Sequence, residues 1–209
     1  MNRNKFLAFI RRQISEDVAQ KLSDEIYAAY ARAQVLSKEE IKALGHERMR
    51  GYMRRDFVND VLAQLGEARH TNPKGEKYGL LQFNDVNMLA FCVDPTRPER
   101  PANYKKELAE MNRVLEPAIP DLFDPDSELV RSSLHTCLMV INPKCGEGDP
   151  RHPRDILLVV PYTNRKGFHL QVRLRDWLES YKDDVAEPVD PWPTFRKEIL
   201  ETEKDDQED

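Results

Sequence analysis

Residues 37–83 restrict the fold more than any other stretch of this chain, because a helix-start signal, a glycine break, an arginine-loaded amphipathic segment and a lysine-tipped turn follow one another there. Ser37-Lys38-Glu39-Glu40 fits a capping box, in which the serine hydroxyl accepts from a backbone amide one turn on while the glutamate reaches back to the cap. A helix is therefore expected to start at Lys38. Gly45, directly after Leu44, can adopt the left-handed conformation that ends a helix. Met49, Tyr52, Met53, Phe57, Val58, Val61, Leu62 and Leu65 then recur at helical spacing up to Gly66. In Asn72-Pro73-Lys74-Gly75, proline and glycine occupy positions that suit a tight turn, which predicts a hairpin with a return strand over residues 78–83.

On the N-terminal side, Phe6, Ile10, Ile14, Val18, Leu22, Ile26 and Tyr30 recur every four positions, the period of one long helix or two abutting ones over residues 4–34. Ser15, followed by Glu16 and Asp17, is a candidate cap for the second. Downstream, a turn is expected over 84–87 and a short buried strand over 88–93, then a segment with three prolines over 94–102. Residues 103–115 read as a helix capped by Asn103, and residues 134–141, 156–162 and 168–174 as strands, the last two joined through 163–167 as an antiparallel hairpin. Residues 175–181 suit a helical turn that holds Trp177 on the core. The expectation is an α+β fold in which N-terminal helices end in a winged-helix-like β-hairpin and an antiparallel sheet with one or two helices follows. The expected organisation is 1–93 as a helical region with hairpin, 103–182 as an α+β region and 183–209 as a mobile acidic tail.

Charge separates the tail from the body. Eleven acidic and three basic residues fall in 183–209, a local balance of -8 that leaves residues 1–182 at +3. Such a tail keeps a protein soluble by repulsion, or competes as a polyanion with nucleic acid for the basic N-terminal half. No apolar run reaches the roughly 18 residues of a membrane span, and the apolar cluster Phe6 to Ile10 is followed by Arg11 and Arg12 where a targeting peptide would need small residues. Three cysteines at wide spacing imply neither a disulfide framework nor a zinc site, so a cytoplasmic protein is expected, with Cys92 and Cys137 as buried thiols. No cofactor is expected.

In element order, over about 50 residues, the stretch resembles winged helix-turn-helix regulators. No residue assignment follows from that resemblance. The residues themselves give the expected positive face for nucleic acid: Arg48, Arg50, Arg54 and Arg55 in the first half of the long helix, with Lys74 and Lys77 on the hairpin at the phosphate backbone. Arginine at a helix N-terminus opposes the helix dipole unless an anion binds there. The leading expectation is a non-enzymatic regulator or adaptor that binds double-stranded DNA or another nucleic acid. A homodimer is expected because the long apolar N-terminal helix would otherwise expose its stripe. The alternative is a protein-interaction module whose arginine face meets an acidic partner surface.

Enzyme readings are weaker. His135 and His169, each on a predicted strand, could supply a general acid and base to a phosphodiester. Two-histidine phosphoesterases, however, place serine or threonine two positions after each histidine. Here Thr136 follows His135 directly, and Gln171 stands two positions after His169. Cys145, Glu147, Asp149 and His152 lie in one long polar loop without a second ligand cluster to complete a metal set. Asp85 and Asp155 are strand-edge acids that lack the glutamate-x-lysine partner of a metal-dependent nuclease.

Overall fold

A computed structural model describes residues 3–40, 45–66, 69–71, 77–83, 85–94, 105–116, 134–144, 146–164 and 166–182. The Asn72-to-Gly75 turn with Lys74, Cys145 and the acidic tail lie outside the described residues. Helices α1 (Arg3–Gln13), α2 (Glu16–Glu40) and α3 (His46–Gly66) come first. The break at Ser15 separates two abutting helices: its hydroxyl accepts from the Val18 amide at 3.4 Å, and Glu16 and Asp17 lie in the first turn of α2, where the helix dipole favours acids.

Ser37 does not start a new helix. It is buried inside α2, and its hydroxyl donates to the Gln34 carbonyl at 3.2 Å, so the capping box is overridden by burial of its own serine. Gly45 has φ 131°, and its carbonyl accepts the first bond of α3 from the Met49 amide at 3.1 Å. The short middle helix of a helix-turn-helix is thus missing among the described residues, because residues 38–40 belong to α2 instead. Arg50 meets Gln34 and Arg54 meets Tyr30, so α2 and α3 run antiparallel.

Strands β1 (Arg69–Thr71) and β2 (Lys77–Gly79) form a separate two-stranded hairpin. It ends earlier than expected, since Leu81 opens a strand of a different sheet. That sheet has the order β3 (Leu81–Phe83), β4 (Val86–Val93), β5 (Leu134–Ile141), β6 (Asp155–Pro161) and β7 (Phe168–Arg173). All its pairs are antiparallel except β4 with β5, which run parallel from Val86 beside Leu134 to Val93 beside Ile141. The sheet is mixed where a fully antiparallel one was expected, and residues from both sides of the proline-rich segment build it. Helix α4 (Lys105–Glu110) leads into a 3-10 turn, Met111–Leu115, and α5 (Leu174–Glu179) follows β7 with Trp177 fully buried.

Both faces of the sheet are covered, which explains why β5 and β6 are nearly continuous apolar runs. Met88, Leu138, Val140, Leu158 and Val172 pack under Ile10, Ile14, Leu22, Ile26, Tyr30 and Leu62 of the three long helices. Leu89, Cys137, Met139 and Val159 face the other way, toward Leu108 and Met111. Ile10, Ile14, Leu22, Ile26 and Tyr30 of the N-terminal apolar stripe are therefore buried in their own chain. No helix among the described residues is long and apolar enough to cross a membrane.

Candidate functional site

The four arginines of α3 divide by direction. Arg54 is only 4% exposed; its guanidinium lies 4.8 Å from the Tyr30 ring centroid and donates to the Pro150 carbonyl. Burial lowers the pKa of this guanidinium, and Tyr30 opposes the shift. The Tyr30 hydroxyl in turn donates to Asn142 Oδ1 at 2.8 Å and lies 3.5 Å from Cys92 Sγ, and burial raises its pKa well above the usual phenol range. Arg50 donates to Gln34 Oε1 at 2.8 Å and reaches Glu47 at 4.0 Å. Both side chains act within the fold, fastening α3 to α2 and to the loop after β5.

Arg48 and Arg55 point outward on either side of Tyr52, with guanidinium carbons 5.9 and 5.7 Å from its ring centroid. A hydrogen bond from Arg48 draws the Tyr52 phenol pKa below its ordinary value. Arg55 Nε also pairs with Asp56 Oδ1 at 3.0 Å. Lys77 opens β2, with its side chain outside the described residues, as all of Lys74 is.

Arg48, Tyr52, Arg55 and Asn59 follow one another at spacings of four, three and four, so they share one stripe of α3. The hairpin closes the C-terminal end of that stripe. A Cβ at Gly79 would stand 2.8 Å from both the Ala63 nitrogen and the Leu62 Cβ, so only glycine lets β2 approach the helix this closely. The open part covers residues 48–56. The large apolar side chains exposed among the described residues are Tyr27 and Val35 on α2, at 40% and 49%, and Met49 and Tyr52 on α3, at 40% and 43%. Sequence reading placed Met49 and Tyr52 in the core set. The signal against that was angular, since Tyr52 lies roughly 120° around the helix from Val58.

The histidines occupy different settings. His135 is fully buried; its backbone amide donates to Asn112 Oδ1 at 2.8 Å, Asn112 Nδ2 returns a bond to its carbonyl at 2.9 Å, and its Nε2 lies 3.3 Å from Cys137 Sγ. His169 sits at the start of β7, its Nε2 3.8 Å from Glu116 Oε1 and its ring edge-on to Tyr162 with centroids 4.4 Å apart. Burial lowers its pKa, while Glu116 pulls the other way. Glu116 feels burial first, but the Thr163 hydroxyl and amide, each donating at 2.7 Å, outweigh it and hold the carboxyl below its ordinary range.

In the loop before β6, Arg151 chelates Asp149 at 2.7 Å and holds its carboxyl at about 2, and Lys144 pairs with Glu147 at 3.5 Å. Asp155 pairs with Arg173 at 3.4 Å. Among the described residues no group of three or more histidine, cysteine or carboxylate side chains is gathered for a metal. Comparisons of the chain with protein-family models, curated proteins and solved structures find no match.

Proposed function

We propose that this chain is an adaptor that binds another macromolecule through the outer face of the α2–α3 pair, and that its partner is a protein. The observation that carries the reading is the company Tyr52 keeps: an exposed tyrosine and methionine, flanked by Arg48 and Arg55, on a helix face that its own fold leaves open. Tyrosine, methionine and arginine are the residues enriched at protein interfaces, and tyrosine and arginine dominate their energetics. The surrounding charge is mixed, with Asp56 paired to Arg55, which suits a protein surface better than a polyphosphate. Substituting Tyr52→Glu is expected to weaken partner binding by at least tenfold while leaving the thermal midpoint unchanged; retained binding would remove this face from the interface.

A second reading keeps nucleic acid. Arg48 and Arg55 set two cations on either side of the Tyr52 ring, a pairing of charge with a stacking surface. Fluorescence anisotropy with labelled duplex and single-stranded DNA across a salt series separates the two. Binding that falls steeply with salt and is lost in Arg48→Glu/Arg55→Glu supports nucleic acid, since each neutralised phosphate releases about one counterion. Absence of binding at low salt leaves the protein partner.

A further inference from the structure

The open part of the α3 stripe carries charges of opposite sign at equal distances from its centre. Arg48 lies four residues before Tyr52 and Asp56 four residues after it, so all three stand on one ridge of the helix. We propose that the protein partner of this face is a second copy of the chain. Two α3 helices cross antiparallel about a two-fold axis through Tyr52, setting each Arg48 against Asp56 of the second copy. This rests on the interface reading above and names its occupant.

An isologous contact demands a self-complementary surface, in which whatever one copy offers at a position the other must accept at its mirror position. A helix ridge with a cation, an aromatic and an anion at even spacing meets that demand when reversed on itself. The middle of the contact is then apolar, with Tyr52 against its counterpart and Met49 beside it, both already exposed. Asp56 is held near the ridge by Arg55 at 3.0 Å and is 59% exposed at its side chain, so its carboxylate remains open to a second guanidinium. The hairpin limits the contact from the C-terminal side, where Gly79 packs on Leu62 and Ala63, so the usable ridge is only about 12 Å long. A short ridge of this kind makes register depend on the charge pairs.

Charge reversal in trans provides the test. Full-length wild type, Arg48→Asp, Asp56→Arg and an equimolar mixture of the two variants are followed by sedimentation velocity over a concentration series up to about 1 mM. Wild type is expected to self-associate, and each variant alone to do so about tenfold more weakly, because each brings like charges together twice. The mixture should recover. In a mixed pair the aspartate introduced at position 48 of one chain faces the arginine introduced at position 56 of the other, and at the opposite end a native Asp56 faces a native Arg48. A bulk charge effect would move the two variants in opposite directions from the wild-type net charge of -5, whereas the proposed pairing weakens both. Monomeric wild type throughout the series, or a mixture no stronger than its components, overturns the second copy as occupant. In that event Tyr52→Glu still decides the interface reading separately, by whether binding of a different protein depends on Tyr52.

Discussion

At the residue scale, the same side-chain type does opposite work on one helix. Arg54 is a buried cation whose neighbours, Tyr30 and Pro150, are far away in sequence, while Arg48 stands in solvent beside Tyr52. Replacing Arg54 by methionine removes the donor to the half-buried Pro150 carbonyl and the cation over the ring, and is expected to cost about 2–3 kcal/mol in urea unfolding. Arg48→Met should leave the urea midpoint where it is, since nothing buried depends on that side chain. Arginine content was legible in the sequence; direction was not, because nothing local to residue 54 announces a phenol 24 positions earlier.

His169 makes a second residue-scale prediction. Burial holds its folded pKa below the ordinary 6.5, so the folded chain binds this proton less readily than the unfolded one. The stability it confers is complete above about pH 6.5 and is lost as the pH falls from there toward the folded pKa. Unfolding midpoints compared at about pH 7.5 and about pH 5 should fall on acidification, and His169→Asn should flatten that difference. A steeper dependence in the variant would mean that the Glu116 attraction, and not burial, governs the site.

At the scale of elements, close packing overrode local signals. The capping box at Ser37 is real in composition, yet α2 continues through it because Ser37 and Gln34 lie on the buried side, where Gln34 holds Arg50. The break at Ser15, the strands 134–141 and 168–174 and the helical turn at Trp177 could all be read, because each rests on nearest-neighbour patterning. The hairpin could also be anticipated, but not its dependence on Gly79, which comes from the surface of α3. Gly79→Ala must displace β2 from Leu62 and Ala63, and a loss of about 1–3 kcal/mol is expected. Limited proteolysis should then cut first around residues 69–79, with the five-stranded sheet still protected.

At the scale of the whole molecule, the parallel pairing of β4 and β5 makes one sheet from segments that a sequence reading keeps apart. Nothing in either strand announces the direction of its partner; both are buried on two faces and read alike for parallel and antiparallel neighbours. The outer face of α2 and α3 was legible only in part: its arginines were evident, while the choice of Tyr52 and Met49 as exposed residues followed from where the sheet and hairpin ran out. The two ends of the described chain are also joined. Arg11 donates to the Ser180 carbonyl and the Tyr181 hydroxyl donates to the Ile14 carbonyl at 2.7 Å. Helix α1 is thus fastened in part by residues far down the chain, so a chain cut before Ser180 loses both the acceptor for Arg11 and the donor to the Ile14 carbonyl. Removing the segment after β7 would therefore loosen the opposite end of the molecule, at the junction of α1 and α2.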